Sequence, residues 1–296
     1  MWGTRTGTLT SMGEPENARK GPAAVIDAAD LDATTRSRVE FLDLGCGLGK
    51  WLGAATRRFG VEGIGLELNR NKVVKAQANG RAVYRANILD LEPVDFPAVK
   101  YVNLDNVLEH LPSLEVVQDV LERSCRIASH LVYIRHPSFE DKDYLAGLGL
   151  KQYWTDWPGV HKTHVLLPEF TAMANRLGVY RMVVSPVRRA FDSTDPTILP
   201  LSAPPGQVRA DRTTPAPGAT PAGVYDPEHH DPKPLVVFDR PVYFAFDVVL
   251  VTGPRLPTLE YQADPETSGR RPRISWPSER PHRTRARRWG RGAVAR

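Results

Sequence analysis

Cysteine is scarce in this sequence, and long apolar runs are absent. The 296 residues include only Cys46 and Cys125, which are too few for a disulfide framework and are not spaced for a zinc site. No apolar run approaches the roughly 20 residues that a membrane-spanning helix needs, and the first 21 residues lack the apolar core of a secretory signal. We therefore expect a cytoplasmic protein with no membrane partner.

Positive charge is concentrated at one end of the chain. The formal net charge is +5, yet the segment from Arg270 onward holds ten arginines and one acid, so the rest is slightly acidic. Segments rich in Pro, Arg and Ser bury too little apolar surface to order themselves, and we predict a disordered tail at 254–296. Residues 1–21 are also predicted to be disordered. Nucleic acid is expected to bind only through the tail, if at all.

Strand-like and helix-like patterns alternate from residue 39 to residue 178. This alternation is typical of a parallel sheet with helical crossovers. Two later apolar stretches, 179–191 and 241–253, read as strands on either side of a proline-rich insertion at about 190–240. Because no crossover helix is evident between them, an antiparallel pair is the simpler prediction.

Three alternating glycines follow the first predicted strand in the stretch FLDLGCGLGKW. Ligands of open parallel sheets bind beyond the carboxyl ends of the strands, and glycines there allow tight turns and close approach of a ligand to the backbone. The phosphate-binding loop pattern fails at Leu44 and Trp51. The dinucleotide pattern fails at Lys50 and Leu52. What remains is D-x-G-x-G-x-G, beginning at Asp43.

This motif resembles the first motif of class I S-adenosylmethionine-dependent methyltransferases. The later stretch VLEHL, at 107–111, resembles the signature after the fourth strand in one large branch of that family. The likeness extends over about 35–185. It implies an α/β fold: a doubly wound, mostly parallel, seven-stranded Rossmann-like sheet with an antiparallel last strand and helices on both faces. It also implies a single methyltransferase domain at 22–253 and S-adenosylmethionine as cofactor.

The resemblance assigns cofactor contacts to residues at successive strand ends. Asp43 would face the ammonium group of the cofactor, and Glu67 would accept hydrogen bonds from the ribose hydroxyls. Asn87 and Ile88 stand where the family usually has Asp and an apolar residue beside the adenine, a departure that an amide can accommodate. The full set of expected cofactor residues is Asp43, Gly45, Cys46, Gly47, Gly49, Glu67, Leu68, Asn87, Ile88 and Asp105.

The sequence indicates the residues that would bind the acceptor or take part in methyl transfer less clearly. The resemblance places His110 beside the cofactor, where an imidazole with a pKa near neutrality suits a general base; the alternative is a histidine that only packs the turn before Pro112. The loop after the fifth strand and the insertion supply further histidines and aromatic residues, which could equally pack a lid. The candidate substrate residues are His136, Trp154, His161, His164, His229 and His230.

Function is predicted from these residues and from absences. No D-P-P-Y or N-P-P-Y motif follows the fourth strand, which disfavours methylation of nucleobase amines. We expect methyl transfer to a small-molecule or glycan-type acceptor, with oxygen favoured over nitrogen. No metal site is predicted. The alternatives are an inactive methyltransferase-like binding scaffold and a nucleic-acid-associated methyltransferase that docks through the basic tail.

Overall fold

Seven strands make up the central sheet of this computed structural model. The described residues are 27–61, 63–157, 159–205 and 232–254, with the backbone of 258–263 and 270–275. The strands of the sheet are β1 (Phe41–Leu44), β2 (Gly63–Glu67), β3 (Val83–Arg85), β4 (Tyr101–Asp105), β5 (Leu131–Pro137), β7 (Arg181–Asp192) and β9 (Val237–Val251). Two short strands, β6 (Leu150–Gln152) and β8 (Ile198–Pro200), pair with each other in a second sheet.

The strand order is β3-β2-β1-β4-β5-β9-β7. Strands β1 to β5 run parallel, whereas β9 is antiparallel to both β5 and β7. This arrangement confirms the predicted α/β fold class, including an antiparallel last strand in the main sheet. The order reverses between β1 and β4, the place where open α/β sheets form their ligand crevice.

Six α-helices accompany the strands among the described residues. They are α1 (Ala33–Arg38), α2 (Leu52–Phe59), α3 (Arg70–Ala78), α4 (Leu114–Ile127), α5 (Lys142–Gly147) and α6 (Leu167–Leu177). Their ends follow local chemistry: the Asn69 side chain accepts hydrogen bonds from the first turn of α3, and Gly60 ends α2 in the left-handed conformation. No helix in the described part of the chain is long and apolar enough to cross a membrane.

Both faces of the sheet are buried, which explains the continuous apolar runs in its strands. Alternate residues of β1 point to opposite faces. Phe41 packs with Phe59 of α2, whereas Leu42 belongs to the larger core that includes Leu121 of α4 and Phe170 of α6. Each such fully buried side chain contributes roughly 1.5–3 kcal/mol to folding. Packing on both faces of the sheet thereby holds the carboxyl ends of the strands in place.

The β7–β9 pair extends past the carboxyl end of β5. Pro137, the last residue of β5, is opposite Ala245, and the pairing of β9 with β7 continues to Asp192. This extension packs with α5, β6 and β8 through a small apolar cluster that includes Leu150 and Phe238. The first and last parts of the predicted insertion therefore rise over the edge of the sheet where ligands are expected.

Several predicted features fall outside the described residues. These are the N-terminal segment 1–21, the middle of the insertion and the final part of the basic tail. Within the tail segment 254–296, predicted to be wholly disordered, the structure has two antiparallel strands, β10 (Thr258–Ala263) and β11 (Arg270–Ser275). The disordered tail at 254–296 stays a prediction.

Candidate active site

The glycine loop at the end of β1 has the backbone geometry that only glycine adopts readily. Gly45, Gly47 and Gly49 have φ values of +67°, +60° and +63°, in the left-handed region. Two of them also lie against neighbours: a Cβ on Gly45 would be 2.9 Å from a methyl of Val107, and one on Gly49 would be 2.6 Å from a methyl of Val83. The loop therefore needs glycine for both its turn and its packing.

Glu67, the last residue of β2, closes this loop. Its carboxylate accepts a hydrogen bond from the Gly47 amide at 2.9 Å and one from the Asn69 amide at 2.8 Å. Lys72 is 3.9 Å away, and Glu67 is almost fully buried. Each carboxylate oxygen has a second lone pair. The carboxylate can thus hold the loop and still accept hydrogen bonds from hydroxyl groups of a ligand.

Asp43 lies in a buried polar network below the loop. Asn103 of β4 donates a hydrogen bond to its carboxylate at 2.6 Å, and Arg58 of α2 donates to the Asn103 side-chain oxygen at 2.6 Å. The Arg58 guanidinium also lies 3.8 Å from the centre of the Tyr133 ring. Burial raises the pKa of Asp43 to about 7, although the hydrogen bond from Asn103 opposes this shift.

A cavity of about 570 Å³ adjoins the ends of β2 and β3. Its lining includes Leu68 and Asn87, two of the residues predicted to contact the cofactor, and Leu68 is well exposed. The Asn87 side chain also accepts a hydrogen bond from the Leu89 amide. Ile88 does not line this cavity, because it packs against the main core. The Cys46 side chain packs under α3 with Val73, Ala76 and Val83.

The backbone turns sharply after β4, between the cofactor loop and a second cavity. Asp105 accepts a hydrogen bond from the Asn106 side chain at 2.9 Å, and Asn106 has a φ of +55°. The backbone amide of Asn106 donates a hydrogen bond to the Arg135 carbonyl of β5 at 2.9 Å. Arg135 in turn forms a buried, two-pronged ion pair with Asp247 of β9, at 2.7 and 2.8 Å. The turn is thus anchored to the neighbouring strands.

The second cavity, of about 220 Å³, lies at the carboxyl edge beside this turn. We call it the acceptor cavity. Its walls are Asn106, Glu109, His110, Pro137, Tyr153, Trp154, Trp157, His161 and Phe244. The aromatic residues support one another, since the Trp154 ring packs edge-on against Phe244 and the Trp154 indole donates to the Ser138 carbonyl at 2.9 Å. Three predicted residues, His110, Trp154 and His161, therefore share one cavity.

The other predicted histidines are placed differently. His136 is buried against Phe139 and Phe170 and does not line the acceptor cavity. His164 stacks on Phe139 with ring centres 4.1 Å apart, and burial followed by the Lys142 charge lowers its pKa to about 4. His229 and His230 lie outside the described residues.

Both histidines of the acceptor cavity are oriented by backbone carbonyls. The Nδ1 atom of His110 lies 2.9 Å from the Val160 oxygen, and that of His161 lies 2.8 Å from the Trp154 oxygen. A carbonyl oxygen can only accept, so in the neutral form of each ring Nδ1 carries the proton and Nε2 carries a lone pair. Burial lowers the pKa of His161, although its bond to Trp154 opposes this shift. Both rings are suited to accept a proton or bind a cation.

Three contributors to this edge were not predicted from the sequence. Phe244 reaches the acceptor cavity from β9, far along the chain from the other wall residues. Asn103 and Arg58 connect to Asp43 within the buried network. A polar residue in the middle of the apolar run YVNLD was a usable signal for Asn103, whereas nothing local distinguished Phe244.

Comparisons with known proteins found partial similarities. Residues 27–143, less than half of the chain, match the family model described as MetW, methionine biosynthesis protein MetW. No curated protein matches the chain. Among solved structures, a SAM-dependent methyltransferase from Archaeoglobus fulgidus is similar at 14% identity and a TM-score of 0.46, covering 74% of this chain and 89% of that one.

Two further solved structures are similar to this chain. Magnesium protoporphyrin IX methyltransferase from Synechocystis PCC 6803, with bound SAH, has 12% identity and a TM-score of 0.37, covering 53% of this chain and 70% of that one. A SAM-dependent methyltransferase from Thermotoga maritima has 11% identity and a TM-score of 0.39, covering 72% of this chain and 82% of that one. The likeness to a particular motif branch, drawn from VLEHL, stays a prediction.

Proposed function

We propose that this chain binds S-adenosylmethionine and transfers its methyl group to a small-molecule or glycan-type acceptor. The observation that carries the proposal is the contact between Glu67 and the Gly47 amide, at the carboxyl ends of β1 and β2. A carboxylate held at this point can accept hydrogen bonds from both ribose hydroxyls, while the bare backbone of the loop lets the amino acid part of the cofactor lie close.

The two cavities support separate binding places for the cofactor and the acceptor along the edge of the sheet. The 570 Å³ cavity, with Leu68 and Asn87, suits the adenine. Asp43, which does not line this cavity, is the candidate partner of the ammonium group. The acceptor cavity lies on the other side of the glycine loop. Methyl transfer from a sulfonium is an in-line displacement that depends mainly on holding the two reactants in line and close together. A cofactor extended along this edge would direct its methyl group toward the acceptor cavity.

The walls of the acceptor cavity favour a small, ring-bearing or amphiphilic acceptor. Its volume of about 220 Å³ is below the usual range for drug-sized ligands, so a small molecule or one residue of a larger one fits best. We propose oxygen as the acceptor atom, because the unprotonated Nε2 of His110 can take the proton of a hydroxyl group. His110 is then the candidate general base.

Calorimetric titration tests the cofactor part of this proposal. We expect wild-type protein to bind S-adenosylmethionine and S-adenosylhomocysteine, and NAD not to bind. Glu67→Gln should weaken both interactions by roughly 10–100-fold, because it removes charged hydrogen bonds worth about 1.5–3 kcal/mol. Glu40→Gln is the matched control, since Glu40 pairs with Lys100 at the opposite end of β1. Equal affinities of the two variants would contradict the proposed role of Glu67.

A further inference from the structure

Three possible metal ligands meet at the wall of the acceptor cavity. Glu109 and His110 end the short helical turn that follows β4, and His161 comes from the loop before α6. Their ligand atoms all lie within 4.8 Å of one another. The loop is fastened to the turn by the amides of Lys162 and Thr163, which donate to the Glu109 carbonyl at 2.8 and 3.3 Å. These backbone hydrogen bonds therefore hold together the two segments that carry the three residues.

The two imidazoles are already in the tautomer that binds metal ions. The Nδ1 atoms of His110 and His161 face backbone carbonyls, so the lone pair of each ring lies on Nε2. Histidines that bind metals usually donate their other N–H to a carbonyl or carboxylate in this way, which fixes both the tautomer and the ring orientation.

The buried carboxylate of Glu109 is not fully satisfied by hydrogen bonds. Glu109 is 1% exposed, and its Oε2 has no hydrogen-bond partner among the described residues. The nearest ionisable contact is Nδ1 of His136 at 3.5 Å, which is longer than a normal hydrogen bond. Both nitrogens of that buried ring also lack partners in the described part of the chain. A buried carboxylate oxygen without a hydrogen bond is costly, and a bound cation would lower that cost.

We propose that Glu109, His110 and His161 bind one divalent transition-metal ion of the Zn²⁺ type. Two imidazole nitrogens and one carboxylate oxygen suit such ions better than Mg²⁺ or Ca²⁺, which prefer oxygen ligands. Tetrahedral ligands at about 2.0–2.2 Å from one ion lie about 3.3–3.6 Å apart, so atoms that are now up to 4.8 Å apart must close by about 1 Å. His110 is exposed, and a small rotation of its side chain would bring its ring closer.

The proposed ion faces the acceptor, and this consequence rests on the proposed methyltransferase function. Three protein ligands leave coordination positions open, and all three residues line the acceptor cavity. An acceptor hydroxyl bound there would have a lowered pKa and would lose its proton more readily to solvent. In the metal-bound protein, His110 acts as a ligand and the ion takes over the activation of the acceptor.

Titration with Co²⁺ tests the site without any assay of activity. The full chain, free of affinity tags and treated with a chelator, is titrated with Co²⁺ while the visible absorption bands of the bound ion are recorded. We expect one ion per chain and displacement by Zn²⁺. Glu109→Gln and His161→Ala should each weaken Co²⁺ binding by at least roughly 10–100-fold, which is the loss when a residue that only hydrogen-bonds to a metal ligand is replaced. His164→Ala, in the same loop but stacked on Phe139, should bind like wild type.

Two controls keep the outcomes separate. Circular dichroism and S-adenosylhomocysteine titration of each variant show whether it is folded and whether the cofactor site is intact. Absence of a one-to-one Co²⁺ complex in wild type would overturn the metal site. Undiminished binding by both folded variants would also overturn it. If wild type binds Co²⁺ but not S-adenosylhomocysteine, the result contradicts only the proposed function.

Discussion

Replacing Asp43 by asparagine should change stability and ligand binding in opposite directions. The Asp43 side chain is buried, and that burial raises its pKa to about 7, against about 4 in an unfolded chain. Between about pH 4 and about pH 7, the folded protein therefore holds a proton that the unfolded chain has released. The free energy of unfolding of wild type falls as the pH rises through this window. The amide side chain of the Asp43→Asn variant does not titrate.

The size of the effect follows from the displacement of the pKa. A shift of about three pH units corresponds to roughly 4 kcal/mol, as an upper limit. Relative to wild type, the Asp43→Asn variant should thus gain up to about 4 kcal/mol of stability between pH 4 and pH 8. If ionised Asp43 faces the cofactor ammonium, the same variant should bind S-adenosylhomocysteine more weakly at pH 8.

Urea unfolding of both proteins across this pH range, followed by circular dichroism, measures the difference. A stability difference between the two proteins that does not change with pH would refute the buried proton. A variant that binds the cofactor as tightly as wild type at pH 8 would refute the contact with the ammonium group and leave the stability argument standing.

Three other predictions concern the elements that hold the site. Gly49→Ala should lower the stability of the protein more than Gly60→Ala. Both substitutions introduce about 1–2 kcal/mol of left-handed strain, but only a Cβ at position 49 would be 2.6 Å from Val83. Equal melting temperatures of the two variants would contradict this. Arg135→Met and Asp247→Leu should each lower the free energy of unfolding, measured with urea, by about 3–5 kcal/mol. The double variant should lose far less than the sum of the two, because it leaves no buried charge unpaired. Additive losses would exclude a coupled pair. The His164 ring should titrate near pH 4 by NMR, so that its contribution to stability falls as the pH drops from about 6.5 toward 4. A midpoint above 6 would show that the ring is not desolvated.

The meeting of the glycine loop and Glu67 at one edge of the sheet was predictable because its signals are local. The glycines follow one strand, Glu67 ends the next, and backbone geometry alone brings neighbouring parallel strands to a common edge. The fold class was predictable for the same reason, since each strand carries its own apolar pattern. The three-residue strands β6 and β8 were not predicted, because such short segments depend on partners distant in the chain.

The acceptor side depended on packing that spacing does not reveal. His161 and His164 belong to one loop, and only the stacking of His164 on Phe139 decides which ring reaches the cavity. The meeting of His161 with Glu109 and His110 likewise comes from backbone hydrogen bonds between distant segments. No metal site was predicted from the sequence, because the loop histidines were considered there only as a pair.

A crystal structure of the protein with S-adenosylhomocysteine tests the central claim most directly. We predict that the ribose hydroxyls lie within hydrogen-bond distance of Glu67, with the adenine beside Leu68 and Asn87 and the sulfur directed toward the acceptor cavity. Ligand density elsewhere, or none at saturating concentration, would contradict the proposed cofactor site.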